Sequence, residues 1–500
     1  MRTASSFLRR QRHQQRLNPP APRALNEECG VFGAIGLDRP AGSTVALGLH
    51  ALQHRGQEGA GITTYNEGQF HQVRELGLVA DHFHGEDVLK RLPGHAGIGH
   101  TRYSTTGESS RKNLQPLYAD LDRGGIAIAH NGNLTNARSL RRDLIRKGSI
   151  FHTTSDSELF VQLTALSRGL TMSDKVIDAA RTVEGAYALV VLTRDALIGV
   201  RDPVGIRPLV LGKLGDAHIL ASESCAFDLI GAEFIRDIEP GEVVICGRDG
   251  SLTSRRLSEP AGARPCIFEL IYFARPNSFV DGESVYDIRK RLGRTLAEES
   301  SVEADLVSPI PDSGVAAAIG YAQASGIDYE MALIRSHFVG RTFIEPSQEI
   351  RETKVARKHS ANGGVVKGKR VVLVDDSLVR GTTSRKIISM LRDAGAAEVH
   401  LRVACPPIRH PDFYGIDTPS EEELLAHGRD EEEMRQLIGA DSLSFLSLDG
   451  LYGALGKGPR DGSAPAFTDH CFTGDYPTSL PDKERPEAVI EQLSLLREAR

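Results

Sequence analysis

The sequence has no apolar run near the roughly 20 residues that cross a bilayer, no Cys-x-x-Cys pair and no stripe of positive charge. The first absence argues against a membrane partner. The second argues against a zinc ribbon, and the 6 cysteines (Cys29, Cys225, Cys246, Cys266, Cys405 and Cys471) are too scattered for a disulfide scaffold. A reducing, cytoplasmic setting is expected from such usage. The third, with a formal net charge of -6, leaves no nucleic-acid footprint. No internal repeat is evident at the usual periods. What is present, 40% hydrophobic and 25% charged residues in a chain of 500, is a globular composition too long for one core, so two domains are expected.

The first 28 residues stand apart. Arg2, Arg9, Arg10, Arg12, Arg16 and Arg23 precede any acid, and Pro19, Pro20 and Pro22 break helix. No apolar core of a secretory signal is present. An Arg-rich, acid-poor start suits an organelle transit peptide, but Phe7, Leu8 and Leu17 make a poor amphipathic stripe. The expectation is a disordered leader, residues 1–28, removed on maturation.

From Cys29 to about Arg248, short apolar runs at 31–35, 126–129, 186–192, 218–221 and 242–246 alternate with Gly-rich turns. A helical pattern intervenes at 157–166, carried by Leu159, Phe160, Leu163 and Leu166. This mixture predicts stacked antiparallel sheets with helices outside, over 29–260. A different texture follows the proline-bearing junction at 259–265. Residues 284–298 read as a helix with Val285, Ile288, Leu292 and Leu296 on one face, opened by a Ser284/Asp287 capping box. A strand at 305–310 leads into Pro311-Asp312-Ser313-Gly314 and an Ala-rich helix. Another strand at 370–374 leads through a polar loop to a helix with Ile387, Ile388 and Leu391, and a further strand covers 398–403. Strand–loop–helix–strand predicts a mostly parallel α/β sheet over 261–415, with ligands beyond the carboxyl ends of its strands. Residues 416–500 read as an acidic, helical and then loop-rich extension.

Cys29 lies in Glu27-Glu28-Cys29-Gly30-Val31-Phe32-Gly33, directly after the leader and directly before a strand. Alone it would read as a buried cysteine. Four polar motifs follow it: Gln53-His54-Arg55-Gly56-Gln57-Glu58, Gly99-His100-Thr101-Arg102-Tyr103, His130-Asn131-Gly132-Asn133 and Ser155-Asp156-Ser157-Glu158. Taken singly these have plain readings: Asn131-Gly132 as a hairpin turn, Arg102 and Asp156 as surface charges. Together and in this order they resemble the class II glutamine amidotransferases, N-terminal-nucleophile hydrolases with an αββα sandwich. The resemblance implies that Cys29 is residue one of the mature chain, after cleavage between Glu28 and Cys29. A thiol of pKa about 8.5 needs a base, and a free α-amine at about 7.7–8.0 can serve. While the leader is attached that nitrogen is an amide with no basicity, so an uncut chain is expected to lack glutaminase activity. The resemblance further implies Arg102 on the glutamine α-carboxylate through its fork of donors and Asp156 on the α-ammonium. The Asn131 side chain and Gly132 N–H would form an oxyanion hole, with Gly132 free of a Cβ clash. Arg55 would shape the glutamine site or its closing loop.

The run Val371-Val372-Leu373-Val374-Asp375-Asp376-Ser377-Leu378-Val379-Arg380-Gly381-Thr382-Thr383-Ser384 places two acids at a strand end, then a hydroxyl-rich loop and a helix start. Helix N-termini bind phosphate, and adjacent carboxylates suit ribose hydroxyls and Mg²⁺. The plain reading is an acidic helix cap, but two uncompensated carboxylates repel each other, an objection a bound cation removes. The run resembles the signature of type I phosphoribosyltransferases. That implies ribose and metal contacts from Asp375 and Asp376, a 5-phosphate cradle of Arg380, Gly381, Thr382, Thr383 and Ser384, and Ser313 near metal and diphosphate. The stretch 337–361, with Arg341, Arg351, Lys354, Arg357 and Lys358, corresponds to a flap over the diphosphate.

Both signatures in one chain resemble the amidophosphoribosyltransferases, over nearly everything from Leu25 to about Pro477. The implied reaction hydrolyses glutamine through a Cys29 thioester and passes ammonia along an apolar internal path. The ammonia then displaces diphosphate from C1 of 5-phosphoribosyl 1-diphosphate, the first committed step of purine synthesis. Also implied are one Mg²⁺ per subunit, purine-nucleotide inhibitors and a homotetramer or homodimer. Some members hold a 4Fe–4S cluster through four cysteines. Here Cys266 and Cys471 match the first and fourth positions, Asp412 and Thr468 stand at the second and third, and Cys405 is off the pattern, so no iron–sulfur cluster is expected. Two rivals remain: another class II amidotransferase, which would lack the 371–384 run, and an inert nucleotide-sensing regulator, which would not need Cys29, Arg102, Asn131 and Asp156.

Overall fold

In the strand Gly30–Ile35, Val31 and Ile35 point one way and Phe32 and Ala34 the other, as the period-two pleat requires, and the two faces enter different cores. That arrangement is repeated throughout the first half of a computed structural model that describes residues 29–103, 110–258, 262–336, 359–416, 418 and 420–484. The expected leader, the cationic residues Arg341, Arg351, Lys354, Arg357 and Lys358, and the last 16 residues (485–500) lie outside the described residues.

A seven-stranded sheet runs, edge to edge, Glu233–Asp237, Val210–Leu214, Ala217–Ala221, Gly30–Ile35, Ala96–Arg102, Gly59–Asn66 and Gln69–Leu76. A six-stranded sheet runs Leu252–Arg256, Glu242–Gly247, Ala196–Arg201, Gly185–Thr193, Gly124–Leu134 and Leu117–Leu121. Every pairing in both is antiparallel. Their facing sides bury Val31, Ile98, Ala129, Val190, Leu197 and Leu220 between them. Helices Ala41–Ala51 and Cys225–Ile230 cover the outside of the first sheet, and Glu158–Leu166 and Met172–Thr182 the outside of the second. The layers are therefore αββα, as the sequence led one to expect.

The second half holds a parallel sheet in the order Leu306–Pro309, Arg370–Asp375, Glu398–Val403, Ser442–Phe445. Helix Val285–Glu299 begins where Ser284 Oγ accepts the Asp287 N–H at 3.3 Å, and it packs with Val315–Ser325. The fourth strand lies in the segment read from sequence as a helical and loop extension. Ser442–Phe445 has only four residues, two of them serine, which is too short and polar to announce a strand; a boundary at 415 cuts through the sheet. The hairpin of Leu333–Arg335 with His359–Ala361 closes the described ends of the cationic stretch. No helix among the described residues is long and apolar enough to cross a membrane.

The tail returns to the first half. Asp482 accepts from the backbone N–H of Arg138 and Ser139 at 2.6 and 3.1 Å, capping the helix Ala137–Arg146. Nearby, Asn133 Nδ2 donates to Phe413 O at 2.9 Å and Arg207 donates to Tyr414 O at 2.9 Å. The two halves are one packed body at the edge where the chemistry-bearing motifs lie.

Candidate active sites

Cys29 stands at the head of the central strand Gly30–Ile35, whose register pairs Gly30 with Thr101. Its Sγ lies 3.4 Å from both Tyr103 N and Tyr103 O. Burial pushes the thiol pKa up; the Tyr103 backbone and the Arg102 charge pull it back, while Asp156 and Glu58 add to the rise. The thiol is thus protonated at rest and needs a base. The three histidines of the surrounding motifs are engaged elsewhere: His54 Nε2 with Glu223 Oε1 at 2.6 Å, His130 Nδ1 with Ser157 Oγ at 2.9 Å and His100 Nε2 with His130 O at 3.1 Å. Burial lowers the pKa of His130 and that of His100, the latter to about 3.

Arg102 and Asp156 are both buried and both bear electrostatically on the Cys29 thiol, so the fold brings this trio together. Arg102 Nη1 donates to Asn113 O at 2.8 Å, and Asp156 Oδ2 accepts from Leu134 N at 3.0 Å. Asn131 and Gly132 are not in a turn. They sit inside the strand Gly124–Leu134, paired with Ala188 and Tyr187. Gly132 has φ +135°, and a Cβ there would fall 2.1 Å from Ala186 O, so only glycine fits. The Asn131 side chain is fully buried, yet neither Oδ1 nor Nδ2 has a partner among the described residues. Leaving a buried amide unmet costs roughly 1–3 kcal/mol, a cost that makes sense where a ligand supplies the partner.

Arg55, expected from the sequence to shape the glutamine site or its closing loop, is buried against the cysteine. It lies beneath the nucleophile: Nε donates to Cys29 O at 3.2 Å, Nη1 to Glu223 Oε1 at 2.6 Å and Nη2 to Glu269 Oε1 at 2.6 Å. Burial opposes the charge on Glu223, but His54 and Arg55 outweigh it and hold this carboxyl well below the ordinary range. Sequence reasoning missed Glu223 and Glu269, which are 168 and 214 residues from Arg55. A signal existed for the second, since Glu269 is the lone acid within the apolar run Cys266-Ile267-Phe268-Glu269-Leu270-Ile271 and acids are rarely buried unpaired.

At the second site Asp375 ends a strand buried on both faces, and Asp376 follows it. Asp376 N donates to Asp375 Oδ1 at 3.0 Å, and Ser377 Oγ donates to Asp376 Oδ2 at 2.6 Å. Burial first, and then the Asp376 charge, push the Asp375 carboxyl well above its ordinary range. Arg380, Gly381 and Thr382 line a cleft of about 230 Å³ at the start of the helix Thr382–Asp393, whose first turn includes Thr383 and the buried Ser384. Ser313 is half-buried in the loop after Leu306–Pro309, next to the same sheet edge: Ile310 N donates to Val374 O at 2.8 Å. Carboxylates and a hydroxyl are oxygen donors of the kind Mg²⁺ takes.

The four positions relevant to an iron–sulfur cluster also converge, but their side chains do not fit one. Cys266 is bridged to Thr468, whose Oγ1 donates to Arg264 O at 2.5 Å. Asp412 Oδ2 is taken up by the N–H groups of Tyr414 and Ile416, each at 2.7 Å. Only Cys266 and Cys471 offer sulfur.

An αββα sandwich with a strand-head cysteine, joined to a parallel sheet with paired acids at its carboxyl edge, defines a glutamine amidotransferase fused to a phosphoribosyltransferase. Residues 100–228 match the glutamine amidotransferase domain family and residues 281–416 the phosphoribosyl transferase domain family. The amidophosphoribosyltransferase of Rhizobium etli is 57% identical over 477 residues, 94% of this chain and 96% of that one. Among solved structures, the glutamine phosphoribosylpyrophosphate amidotransferase of Bacillus subtilis complexed with ADP and GMP matches with TM-score 0.85 and 48% identity, over 90% of this chain and 98% of that one. A second, described as the allosteric regulatory enzyme of purine biosynthesis, gives TM-score 0.85 and 48% identity over 90% and 97%. The chain belongs to the amidophosphoribosyltransferase family. Its reaction takes glutamine, 5-phosphoribosyl 1-diphosphate and water to 5-phosphoribosylamine, glutamate and diphosphate, at the start of purine synthesis.

Proposed function

We propose that Cys29 is the glutaminase nucleophile, activated only when cleavage after Glu28 frees its α-amine. The observation that carries this reading is the gathering of Arg102 and Asp156 about the buried Cys29 thiol, with the Asn131 amide of the strand Gly124–Leu134 buried and unpartnered among the described residues. The freed amine takes the thiol proton, and sulfur attacks the glutamine carboxamide carbon. Asn131 Nδ2 and Gly132 N–H hold the developing oxyanion. The amine returns the proton to the leaving nitrogen, ammonia departs, and water hydrolyses the thioester to glutamate. Arg102 and Asp156 hold the α-carboxylate and α-ammonium, while Arg55 fixes the Cys29 carbonyl.

At the second site Asp375 and Asp376 hold the ribose hydroxyls and, with Ser313, one Mg²⁺. Bound there, the ion would neutralise charge on the leaving diphosphate. Arg380, Gly381, Thr382, Thr383 and Ser384 cradle the 5-phosphate at the helix start. Ammonia reaching this site along an apolar internal path displaces diphosphate from C1. Functional halves of 29–260 and 261 onward, purine nucleotides as inhibitors, a cytoplasmic setting and a homotetramer or homodimer complete the reading. A Bacillus subtilis relative bound to ADP and GMP supports the inhibitors.

Alkylation tests the first site directly. Iodoacetamide should modify Cys29 in the processed enzyme, and glutamine should protect it. Arg102→Lys should abolish that protection at the same glutamine concentration. Alkylation of Cys29 that glutamine does not slow would refute the assignment.

A further inference from the structure

Asp412, His470 and Cys471 are all buried, and one ligand atom from each lies within 4.8 Å of the other two. His470 Nε2 is 2.9 Å from Asp412 Oδ1 and 3.3 Å from Cys471 Sγ. Despite the short approach, Asp412 Oδ1 receives no aligned hydrogen bond, and His470 Nδ1 has no partner among the described residues. Neither tautomer of a neutral imidazole resolves this. A hydrogen on Nδ1 has no acceptor and turns the Nε2 lone pair toward a carboxylate oxygen. A hydrogen on Nε2 must choose between oxygen and sulfur, and leaves Nδ1 unmet.

We propose that Asp412, His470 and Cys471 hold a single divalent ion of the zinc class, with a water molecule completing the shell. Tetrahedral zinc, with bonds of about 2.0 Å to nitrogen or oxygen and about 2.3 Å to sulfur, separates its ligands by about 3.3 Å (N to O) and about 3.5 Å (N to S). The two spacings from His470 Nε2, 2.9 Å to Asp412 Oδ1 and 3.3 Å to Cys471 Sγ, need to open by only a few tenths of an ångström. A thiolate and an imidazole in the donor set select zinc or cobalt over magnesium. Without a metal, burial, the Asp412 charge and Cys266 keep the Cys471 thiol pKa well above its ordinary value. Coordination exchanges that proton: the S–H bond breaks, the metal–sulfur bond forms and one H⁺ leaves to solvent. The site also bears on the rest of the molecule. The other Asp412 oxygen holds the backbone of Tyr414 and Ile416, and a Cβ on Gly415 between them would lie 3.3 Å from Gly132 Cα. The ion would brace the strap that rests on the proposed oxyanion strand.

Elemental analysis of the purified full-length enzyme, equilibrated with zinc and freed of loose metal on a chelating resin, should find one zinc per chain. His470→Ala and Cys471→Ser should lose it, and Cys405→Ser should keep it. Cobalt-loaded enzyme should show the charge-transfer absorption of one thiolate, absent in Cys471→Ser. Should the variants fail to fold, the wild-type cobalt spectrum decides alone, its thiolate band supporting the site and its absence overturning it. A folded wild-type chain that retains neither metal, or variants that keep both, would overturn the proposal and leave Asp412 and His470 as a buried ion pair.

Discussion

Around Cys29 the polar groups are gathered from far apart in the chain, whereas around Asp375 almost every group comes from one strand–loop–helix run. Arg55 finds Glu223 and Glu269 across 168 and 214 residues, and Gly132 meets Gly415 across the two halves. By contrast, Asp375 through Ser384 are ten consecutive residues. The first site is a product of tertiary packing and most of its charges are already compensated. The second is a local motif whose two acids are set against each other until a cation or substrate arrives. One site is thereby expected to depend on the whole fold, the other on its ligands.

Cys29→Ala separates them most sharply. Glutamine-dependent synthesis should fall by roughly 10⁴-fold or more while ammonia-dependent synthesis persists; steady-state rates with each nitrogen donor check this, and loss of both would argue that the sites are not separable. Asp375→Asn is the converse. Synthesis from either donor should fall by roughly 10³-fold, with glutamate release from glutamine retained.

Asn131→Ala should lower the glutaminase kcat by roughly 10²-fold with little change in KM. Because the amide it removes has no partner in the free protein, the unfolding midpoint in urea should stay the same or rise. A clear loss of stability would mean the amide is structural. Glu269→Gln should destabilise the protein by roughly 1.5–3 kcal/mol, since the buried Arg55 guanidinium loses half of its compensation, and glutaminase should suffer more than ammonia-dependent synthesis.

The smallest effect is in pH. The Asp375 carboxyl is raised when folded, so the metal-free protein binds this proton more tightly than the unfolded chain does. Its contribution to stability is present below the ordinary carboxylate range and is lost as pH rises through the raised folded value. A Mg²⁺ ion favouring the ionised form should cancel that loss, so the gain in Tm on adding Mg²⁺ should grow with pH and vanish in Asp375→Asn.

The same contrast explains what the sequence could tell. The paired acids, hydroxyl loop and helix start could be read as a site because they are contiguous, and the apolar runs of the sandwich were legible because buried strands leave local patterns. Asn131-Gly132 could not be told from a hairpin turn until its pairing with Ala188 and Tyr187 placed it mid-strand. Arg55 could be tied to the glutamine site or its closing loop but not placed under the Cys29 carbonyl, because its carboxylate partners leave no spacing rule. Ser442–Phe445 was missed as a strand because four residues, two of them serine, are too few to set a pattern, and Asp412 with His470 because the pair exists only after two distant loops meet.

The central claim is that freeing the Cys29 amine creates the base. Replacing the residues just before Cys29 with the recognition sequence of a site-specific protease allows glutaminase to be measured on one sample before and after cutting, with intact mass confirming Cys29 as the new first residue. The account predicts background activity before cleavage and full activity after it. Equal rates from the joined and the cut chain would contradict it.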